Sequence, residues 1–352
     1  MSAGFLQKLF REVLALIKKL TEAFGVSGYE KPVRDIIYEE IKDLCTDVNV
    51  DTMGNLCVFK RAKSCSKNAK KILLSAHMDE VGLIVTDITD DGYLKFSSVG
   101  GIEPRVLISQ RVRVNGISGV IALKAVHLTT AEEREKPITE KQLYIDIGAK
   151  DGQSAKEYVA KGDYCVFDSE YVEFGNQIKA KALDDRLGCA VMIDVLKKDW
   201  EVDLYCNFTV QEEVGLRGAR VAVKGINPDY AVVIEGTTCN DLSGVGENLR
   251  VTKSGGGPAL SVLDSASRAD NGLIKLIENS AKNHGIPYQF KASTAGGNDA
   301  GAISIADGGI KTASVSVPCR YIHSPVSVMN KDDFENCKAL IGAFLEDMGK
   351  EH

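Results

Sequence analysis

Several features that would place this chain in a special class of protein are missing from its sequence. Among 352 residues there is no apolar run long enough to cross a bilayer and no block of Lys and Arg typical of a nucleic-acid binder. Internal repeats and low-complexity segments are also absent. The net charge is −6 at pH 7, which argues further against nucleic acid. We therefore expect neither a membrane nor nucleic acid among its partners.

The cysteines lack the spacing of a metal-binding or redox motif. There are nine of them, an odd number, and none forms a C-x-x-C pair. Because several lie in apolar runs, we expect reduced, mostly buried thiols and a cytoplasmic location. The composition is 44% hydrophobic and 26% charged, as in a globular protein with a sizeable core. The length suits one large domain or two of medium size.

The N-terminal 25 residues lack the uninterrupted apolar core of a secretory signal. Charged residues alternate there with apolar residues at helical spacing, namely Leu6, Phe10, Leu14 and Ile17. This pattern predicts an amphipathic helix over 5–23 that faces the core, with a helix on a membrane surface as the less favoured alternative. A second helix is predicted over 30–45, with Ser27 as a candidate cap.

The pattern of apolar residues changes twice along the chain. Before residue 81 and after residue 172, strand patterns alternate with helix patterns, which predicts a mostly parallel sheet covered on both faces. Between 81 and 172, six short apolar alternations are separated by Gly-containing turns, which is typical of an all-β unit. We therefore predict one α/β domain, formed by 1–80 and 173–352, interrupted by an inserted β unit at 81–172.

Polar side chains follow several predicted strands of the α/β domain. Ligands of open α/β sheets gather beyond the carboxyl ends of the strands, so these side chains are candidates for one site. In chain order they are His77 and Asp79, Asp184 and Asp185, Glu212 and Glu213, Glu235, and His323.

Each of these residues has a structural interpretation when taken alone. A histidine at a strand end is more often a hydrogen-bonded structural residue, Asp-Asp before a helix is more often a cap, and Glu-Glu after a strand is more often a solvated loop. Their shared position favours a site instead. So many carboxylates cannot all ionise at close range without a cation, and imidazole mixed with carboxylate suits Zn²⁺, Co²⁺ or Mn²⁺. His127 and His284 lack such neighbours and are expected on the surface.

Five segments, taken in this order, resemble the motifs of metallopeptidase family 42, the tetrahedral (TET) dinuclear aminopeptidases. They are SAHMDEVG, KALDDRLGC, TVQEEVGLRGA, AGGNDAGAI and CRYIHSPVSV. The family includes glutamyl, leucyl and deblocking aminopeptidases. The resemblance covers nearly the whole chain and implies a zinc-exopeptidase three-layer α/β/α domain with an inserted PDZ-like β-barrel. It also implies homo-oligomers, from dimers to hollow tetrahedral dodecamers, with the inserted unit as the expected place of subunit contacts.

The resemblance also implies roles for individual residues. Asp184 would bridge two divalent metal ions, Zn or Co and alternatively Mn. The remaining metal ligands would be His77 and Glu235 on one ion, and Glu213 and His323 on the other. The catalytic residues would be Glu212, as the general base, and Asp79, which would orient His77. Asp185 would be a structural acid.

Two positions depart from the family pattern. The family more often has Asp where this chain has Glu235, which is one methylene longer, so metal affinity or selectivity could differ there. Asn298 replaces the Thr of the usual Gly-Gly-Thr-Asp-Ala sequence, and Asp299 beside it is a candidate for substrate contact.

The expected function is removal of the N-terminal residue from peptides by a metal-dependent aminopeptidase. The alternatives are a metal-dependent deacylase or amidohydrolase on N-acyl compounds, an endoglucanase-like glycosidase, and a non-enzymatic scaffold on a peptidase fold. A glycosidase needs two carboxylates free of metal, and a scaffold has often lost a ligand or the base, whereas all six expected positions carry suitable residues here. The preferred N-terminal residue of the substrate does not follow from the sequence.

Overall fold

The computed structural model describes residues 3–350, with side chains at residue 8 and from residue 10 onward. The side chain of Leu6, expected on the apolar face of the first helix, lies outside this set. Within the described part of the chain, no helix is long and apolar enough to cross a membrane.

The secondary structure follows the predicted alternation of strands and helices. The helices are α1 (Ala3–Glu22), α2 (Lys31–Ile41), α3 (Ala131–Glu135), α4 (Gly152–Lys156), α5 (Leu183–Leu196), α6 (Ala219–Ala222), α7 (Asn271–Asn283), α8 (Ala300–Ile303) and α9 (Lys331–Lys350). The strands are β1 (Asp47–Val50), β2 (Leu56–Lys60), β3 (Lys71–His77), β4 (Gly82–Ile88), β5 (Leu94–Val99), β6 (Arg111–Val114), β7 (Ile117–Leu123), β8 (Leu143–Asp146), β9 (Tyr164–Phe167), β10 (Val172–Phe174), β11 (Gln177–Ala180), β12 (Asp203–Thr209), β13 (Tyr230–Thr238), β14 (Ala259–Ser261), β15 (Gln289–Phe290), β16 (Thr312–Arg320) and β17 (Ser327–Asn330).

Eleven strands form one sheet with the order β1-β2-β12-β3-β13-β16-β17-β11-β10, and β14 and β15 extend it beside β16. The four central strands, β12, β3, β13 and β16, are parallel to one another. The strands that flank them pair antiparallel, except β14 and β15, which are parallel to each other. The prediction of a mostly parallel sheet is therefore right for the centre and wrong for the flanks. Three of these antiparallel pairs, β1-β2, β10-β11 and β16-β17, join consecutive strands through connections too short for the crossover that parallel pairing needs.

Apolar side chains cover both faces of this sheet, because successive residues of a strand point to opposite sides. On β3, Ile72 and Leu74 join the larger core, which also contains residues of α1, α2, α5, α7 and α9. Leu73 lies between them and joins a smaller core with residues of α6 and α8. The predicted three-layer α/β/α arrangement is confirmed.

The first helix packs on this core as predicted. Leu14 and Ile17 are buried, and Phe10 packs against them. The second helix begins at Lys31, and its cap position is Glu30, which makes no side-chain capping hydrogen bond. The prediction that Ser27 caps this helix is therefore wrong. The Ser27 hydroxyl donates instead to Asp79 Oδ2 at 2.6 Å, a contact across 52 positions that no local pattern indicates.

The six alternations between residues 81 and 172 form a closed antiparallel barrel, with the order β4-β5-β8-β7-β6-β9. The barrel has its own core, formed by Leu83, Val112, Ile121 and their neighbours. Closure leaves no free strand edge. The inserted β-barrel is thus confirmed, with its strands between Gly82 and Phe167, although the short helices α3 and α4 lie between β7 and β9. The domain boundaries at 81 and 172 stay predictions.

Candidate metal centre

The central parallel strands end along one edge of the sheet, and the predicted ligands lie there. His77 is the last residue of β3 and pairs with Thr209, the last residue of β12. Glu212 and Glu213 follow β12 closely, and His323 follows β16. Glu235 lies inside β13, which continues to Thr238, so this strand is longer than the sequence indicated. The register of parallel strands brings these segments to one place.

His77, Asp184 and Glu235, which we call the inner triad, converge in the interior. The Nε2 atom of His77 lies 3.4 Å from Asp184 Oδ1 and 3.0 Å from Glu235 Oε1. All three residues are buried. A Cβ atom at Gly236 would lie 2.9 Å from the Cβ of Asp184, so the absence of a side chain there lets β13 approach the start of α5.

Asp184, Glu213 and His323, which we call the outer triad, meet on the other side of the same aspartate. The Nε2 atom of His323 lies 3.8 Å from Asp184 Oδ2 and 3.4 Å from Glu213 Oε2. The His323 side chain is 40% exposed, whereas that of Glu213 is 4% exposed. His323 Nδ1 lies 3.0 Å from the carbonyl oxygen of Gly101, just after β5 of the barrel. A proton on Nδ1 would donate to that oxygen and leave Nε2 free as a ligand atom.

Both triads fit a metal ion. In each, one donor atom from every residue lies within 4.8 Å of the others. Two ligand atoms that are each about 2.0–2.1 Å from a tetrahedral zinc ion are separated by roughly 3.4 Å, which is close to the distances seen here. Asp184 Oδ1 and Glu235 Oε2 are buried without a hydrogen-bond partner. Such oxygens are costly unless a cation coordinates them.

The electrostatics of the centre also favour bound cations. Burial raises the pKa of Glu235 and of Glu212 well above their ordinary values, and raises the pKa of Glu213 to about 7. Burial opposes a charged His77, yet attraction to Glu235 and the nearby carboxylates of Asp184 and Asp79 raise its pKa. Burial thus disfavours the ionised form of these carboxyl groups, and divalent cations would stabilise that form.

Asp79 holds both the imidazole of His77 and the segment after β12. The Nδ1 atom of His77 lies 3.1 Å from the backbone carbonyl oxygen of Asp79 and 3.3 Å from its Oδ1 atom. The backbone N–H groups of Glu212 and Glu213 donate to Oδ1 at 3.0 Å and to Oδ2 at 3.1 Å. The residue is fully buried, and hydrogen bonds outweigh burial to lower its pKa. One carboxylate therefore positions a histidine of the inner triad together with Glu213 of the outer triad.

The backbone bends sharply after β12, so the neighbouring residues Glu212 and Glu213 both face the centre. Gln211 has a φ of 56°, and Gly218 donates its N–H to the carbonyl of Val210. Any side chain at Gly218 would collide with that carbonyl, at 2.2 Å. Glu213 contacts His323, while Glu212 lines a cavity together with Asp184 and Glu235. This is the bend that two converging adjacent carboxylates require.

The family model described as M42 glutamyl aminopeptidase matches residues 54–340 of this chain. The chain belongs to the M42 glutamyl aminopeptidase family. A protein of Acetivibrio thermocellus is 41% identical over 333 residues, which cover 94% of this chain and 97% of that protein. The lysyl aminopeptidase of Pyrococcus furiosus is 32% identical over 344 residues, covering 95% of this chain and 96% of that protein.

Solved structures of M42-like aminopeptidases have the same fold. An aminopeptidase from the archaeon Desulfurococcus kamchatkensis superposes with a TM-score of 0.91 at 36% identity, covering 97% of this chain and 98% of that one. The TET1 peptidase of Pyrococcus horikoshii superposes with a TM-score of 0.84 at 35% identity, covering 95% and 99% of the two chains. That peptidase can assemble into a tetrahedron or a large octahedral shell. Our chain is thus an enzyme, a metal-dependent aminopeptidase of the M42 family.

Asp185 of this M42 chain belongs to neither triad. It is fully buried, and its carboxylate accepts hydrogen bonds from the N–H groups of Gly188 and His77. The peptide bond between Asp184 and Asp185 is cis. The carboxylate therefore connects the start of α5 to the end of β3, in line with the predicted structural role.

A buried ionic cluster beside the centre was not expected from the sequence. Glu80 accepts hydrogen bonds from Lys181 at 2.7 Å and from Arg186 at 3.2 Å, and all three side chains are at most 4% exposed. Burial lowers the pKa of Lys181 to about 8. The cluster joins the segment after β3 to the start of α5, so it supports the two segments that carry His77 and Asp184.

Asp299 and Asn298 lie beside the centre in different ways. Asp299 is 1% exposed and accepts a hydrogen bond from the Thr209 hydroxyl at 2.6 Å, while its Oδ1 atom has no hydrogen-bond partner. Asn298 lines the same cavity as Glu212. Of these two neighbours, Asn298 is the one with side-chain surface at the cavity.

Proposed function

We propose that this chain hydrolyses the peptide bond after a free N-terminal residue, with two divalent metal ions held by the inner and outer triads and Glu212 as general base. The convergence of His77, Asp184, Glu213, Glu235 and His323, from the central parallel strands, the segments after them and the start of α5, carries this proposal. Membership of the M42 family supports it independently.

The chain's own residues would divide the chemistry between them. The two metal ions, when bound, would lower the pKa of a shared water and polarise the scissile carbonyl. Glu212 lines the cavity beside Asp184 and Glu235, so it is placed to accept the proton of that water and to deliver it to the leaving amine. The backbone carbonyl of Asp79 would accept the Nδ1 proton of His77, with its carboxylate close by, and keep Nε2 directed at the inner ion.

The chemistry of the ligands allows zinc or cobalt, with manganese as a further candidate. Glu235 is longer than the Asp that is more common in the family, and it lies in the buried inner triad. We therefore expect any unusual metal preference at the inner position.

We also propose that the chain forms homo-oligomers and acts in the cytoplasm. The Pyrococcus horikoshii neighbour can assemble into a tetrahedron or a large octahedral shell. The inserted unit at 81–172 is the part where we expect contacts between subunits. The nine cysteines are free thiols, six of them buried, which suits a reducing compartment.

A pair of matched substrates separates the aminopeptidase from the deacylase alternative. One is an unblocked peptide and the other is the same peptide with an acetylated N-terminus, both incubated with metal-loaded protein. We expect release of the first residue from the unblocked peptide alone. Release of acetate from the blocked peptide, with the unblocked one intact, would support the deacylase. Hydrolysis of a β-glucan that persists after chelation would support the glycosidase.

A further inference from the structure

Three consecutive backbone N–H groups after β12 each donate to a buried carboxylate. Those of Glu212 and Glu213 donate to the two carboxylate oxygens of Asp79. The N–H of Gln211 donates to Oε1 of Glu30 at 3.1 Å, a contact across 181 positions of the chain. Glu30 is 5% exposed, and Asp79 is fully buried. The backbone that carries Glu212 is therefore held by two carboxylates from remote parts of the chain.

The position of Glu30 at the start of α2 does not explain its carboxylate. A polar residue at this position usually accepts a hydrogen bond from an N–H group of the first helical turn, but Glu30 makes no such bond. Its Oε1 atom accepts instead from the N–H of Gly28 at 2.6 Å, so this one oxygen receives the N–H groups of Gly28 and Gln211. A buried carboxylate is costly unless hydrogen bonds stabilise it. One of its two bonds reaches the segment that carries the proposed base.

The loop at 26–30, which ends in Glu30, is itself held on two sides. Val26 pairs with Glu80, just after β3, through an isolated bridge. On the other side, the ring of Tyr29 lies 5.8 Å from the ring of Tyr164 on β9 of the barrel, measured between the ring centroids. The loop thus gives the carboxylate of Glu30 a fixed origin.

Gln211 needs this support because its backbone is left-handed, with a φ of 56°. That conformation is unfavourable for a residue with a side chain and persists only where the surroundings hold it. It produces the bend after which Glu212 lines the cavity beside Asp184. Without an acceptor for the Gln211 N–H, the bend could relax and move the Glu212 carboxylate away from the position in which it serves as base.

We propose that Glu30 is a positioning residue for the general base Glu212. The inference rests on the proposed function, because it takes Glu212 as the base. Asp79 supports the same backbone but also lies beside His77, so its loss should affect metal binding. Among the described residues, Glu30 forms no hydrogen bond or ion pair with a member of either triad. Its loss should therefore slow the reaction while both metal ions stay bound.

The test compares metal-loaded wild type, Glu30→Met and Glu30→Gln on the aminoacyl anilide that the wild type hydrolyses fastest. Met is similar to Glu in length but offers no oxygen to the N–H groups, so kcat should fall by about 10- to 100-fold, as expected for a displaced catalytic group. KM should change little, and elemental analysis should still find two ions per chain. In Glu30→Gln the amide oxygen can accept both N–H groups that Oε1 receives, so kcat should stay near that of the wild type.

Two further variants complete this comparison. Glu39→Met, at an exposed position of the same helix α2, is the control and should leave kcat unaltered. If Glu30→Met does not fold, Glu30→Asp replaces it. This variant keeps the charge but is one methylene shorter, so it should also lower kcat because its carboxylate no longer reaches the Gln211 N–H.

A double-variant comparison separates positioning of the base from a general structural role. In the Glu212→Gln background, Glu30→Met should lower the residual kcat by less than about 2-fold, because no base is left to displace. A structural defect would lower kcat by the same factor in both backgrounds.

Four results would overturn the inference and leave the proposed function intact. They are equal factors in the two backgrounds, loss of a metal ion in Glu30→Met, a Glu30→Gln variant as slow as Glu30→Met, and wild-type kcat in folded, metal-loaded Glu30→Met. Near-normal kcat of Glu212→Gln, or absence of hydrolysis of every anilide by metal-loaded wild type, would contradict the proposed function itself.

Discussion

The two triads share Asp184 but differ in how the fold holds them. The inner triad takes His77 and Glu235 from parallel strands in the middle of the sheet, and both side chains are buried. The outer triad takes Glu213 and His323 from segments beyond the strands, and His323 is 40% exposed. Its imidazole is positioned by Gly101 of the inserted barrel. We infer that the inner position is preorganised and binds metal tightly, whereas the outer position depends on loops and exchanges metal more readily.

The largest expected effect is on kcat, and it distinguishes the role of Glu212 from that of Glu213, its neighbour in the outer triad. Glu212→Gln should lower kcat by about 10²- to 10⁴-fold, because it removes the base while leaving both triads complete. Metal content, measured by elemental analysis, should stay at two ions per chain. The matched variant Glu213→Gln should lose the outer ion. Near-normal turnover of Glu212→Gln would remove it from the mechanism.

The next prediction compares metal binding in variants of the two histidines, His77 and His323. Chelator titration of the wild type should release metal in two steps, the outer ion first. His323→Ala should abolish the release step of the weakly bound ion and leave the other ion in place, because the inner triad is unchanged. His77→Ala should abolish the release step of the tightly bound ion, because the metal affinity of the inner position falls by more than about 100-fold. A single release step in the wild type, with equal losses of metal affinity in both variants, would show that the two positions bind metal equally tightly.

The position of the ligands along the chain could be predicted from the sequence because they follow strands of a parallel sheet. His77, Glu213 and His323 stand where apolar strands end, and the six barrel strands were visible from their alternation. The contacts that support these ligands could not be predicted. Gly101 and His323 are 222 positions apart, and Asp79 and Glu212 are 133 apart. Such contacts depend on the packing of remote segments and leave no local pattern. The short strands β10, β14 and β15 have only two or three residues each, which is too little alternation to predict a strand from the sequence.

A third prediction concerns Asp79, which connects the two triads. Asp79→Asn should lower metal affinity or activity by about 10- to 100-fold, because the amide cannot accept hydrogen bonds from both backbone N–H groups and lacks the negative charge beside the His77 imidazole. Both metal positions should weaken together, as followed by elemental analysis after dialysis. Loss confined to the inner ion would show that the bonds to Glu212 and Glu213 do not matter for the outer one.

The smallest expected effect is on the free energy of unfolding, and it concerns Arg320 at the end of β16, the strand that leads to His323. Arg320 donates to Asp241 at 2.7 Å, and this hydrogen bond lowers the pKa of Asp241 from 3.8 to about 2. Because the folded-state pKa is lowered, the stabilisation is present above pH 3.8 and is lost as the pH falls towards 2. Asp241→Asn should lower the free energy of unfolding at pH 6 by about 0.5–1 kcal/mol, since the pair is partly exposed to solvent.

Denaturant unfolding at pH 6 and at several lower values measures this difference, which should narrow as the pH approaches 2. Asp91→Asn, at an exposed position of the barrel, serves as the control and should change stability little at any pH. A difference between Asp241→Asn and wild type that does not vary with pH would contradict the assigned cause.

Anomalous diffraction from crystals of the zinc-loaded protein tests the dinuclear centre most directly. We expect two peaks per chain on either side of Asp184, one among the donor atoms of His77 and Glu235 and the other among those of Glu213 and His323. No peak at Asp184, or peaks at positions that these five residues do not contact, would contradict the assignment of the metal centre.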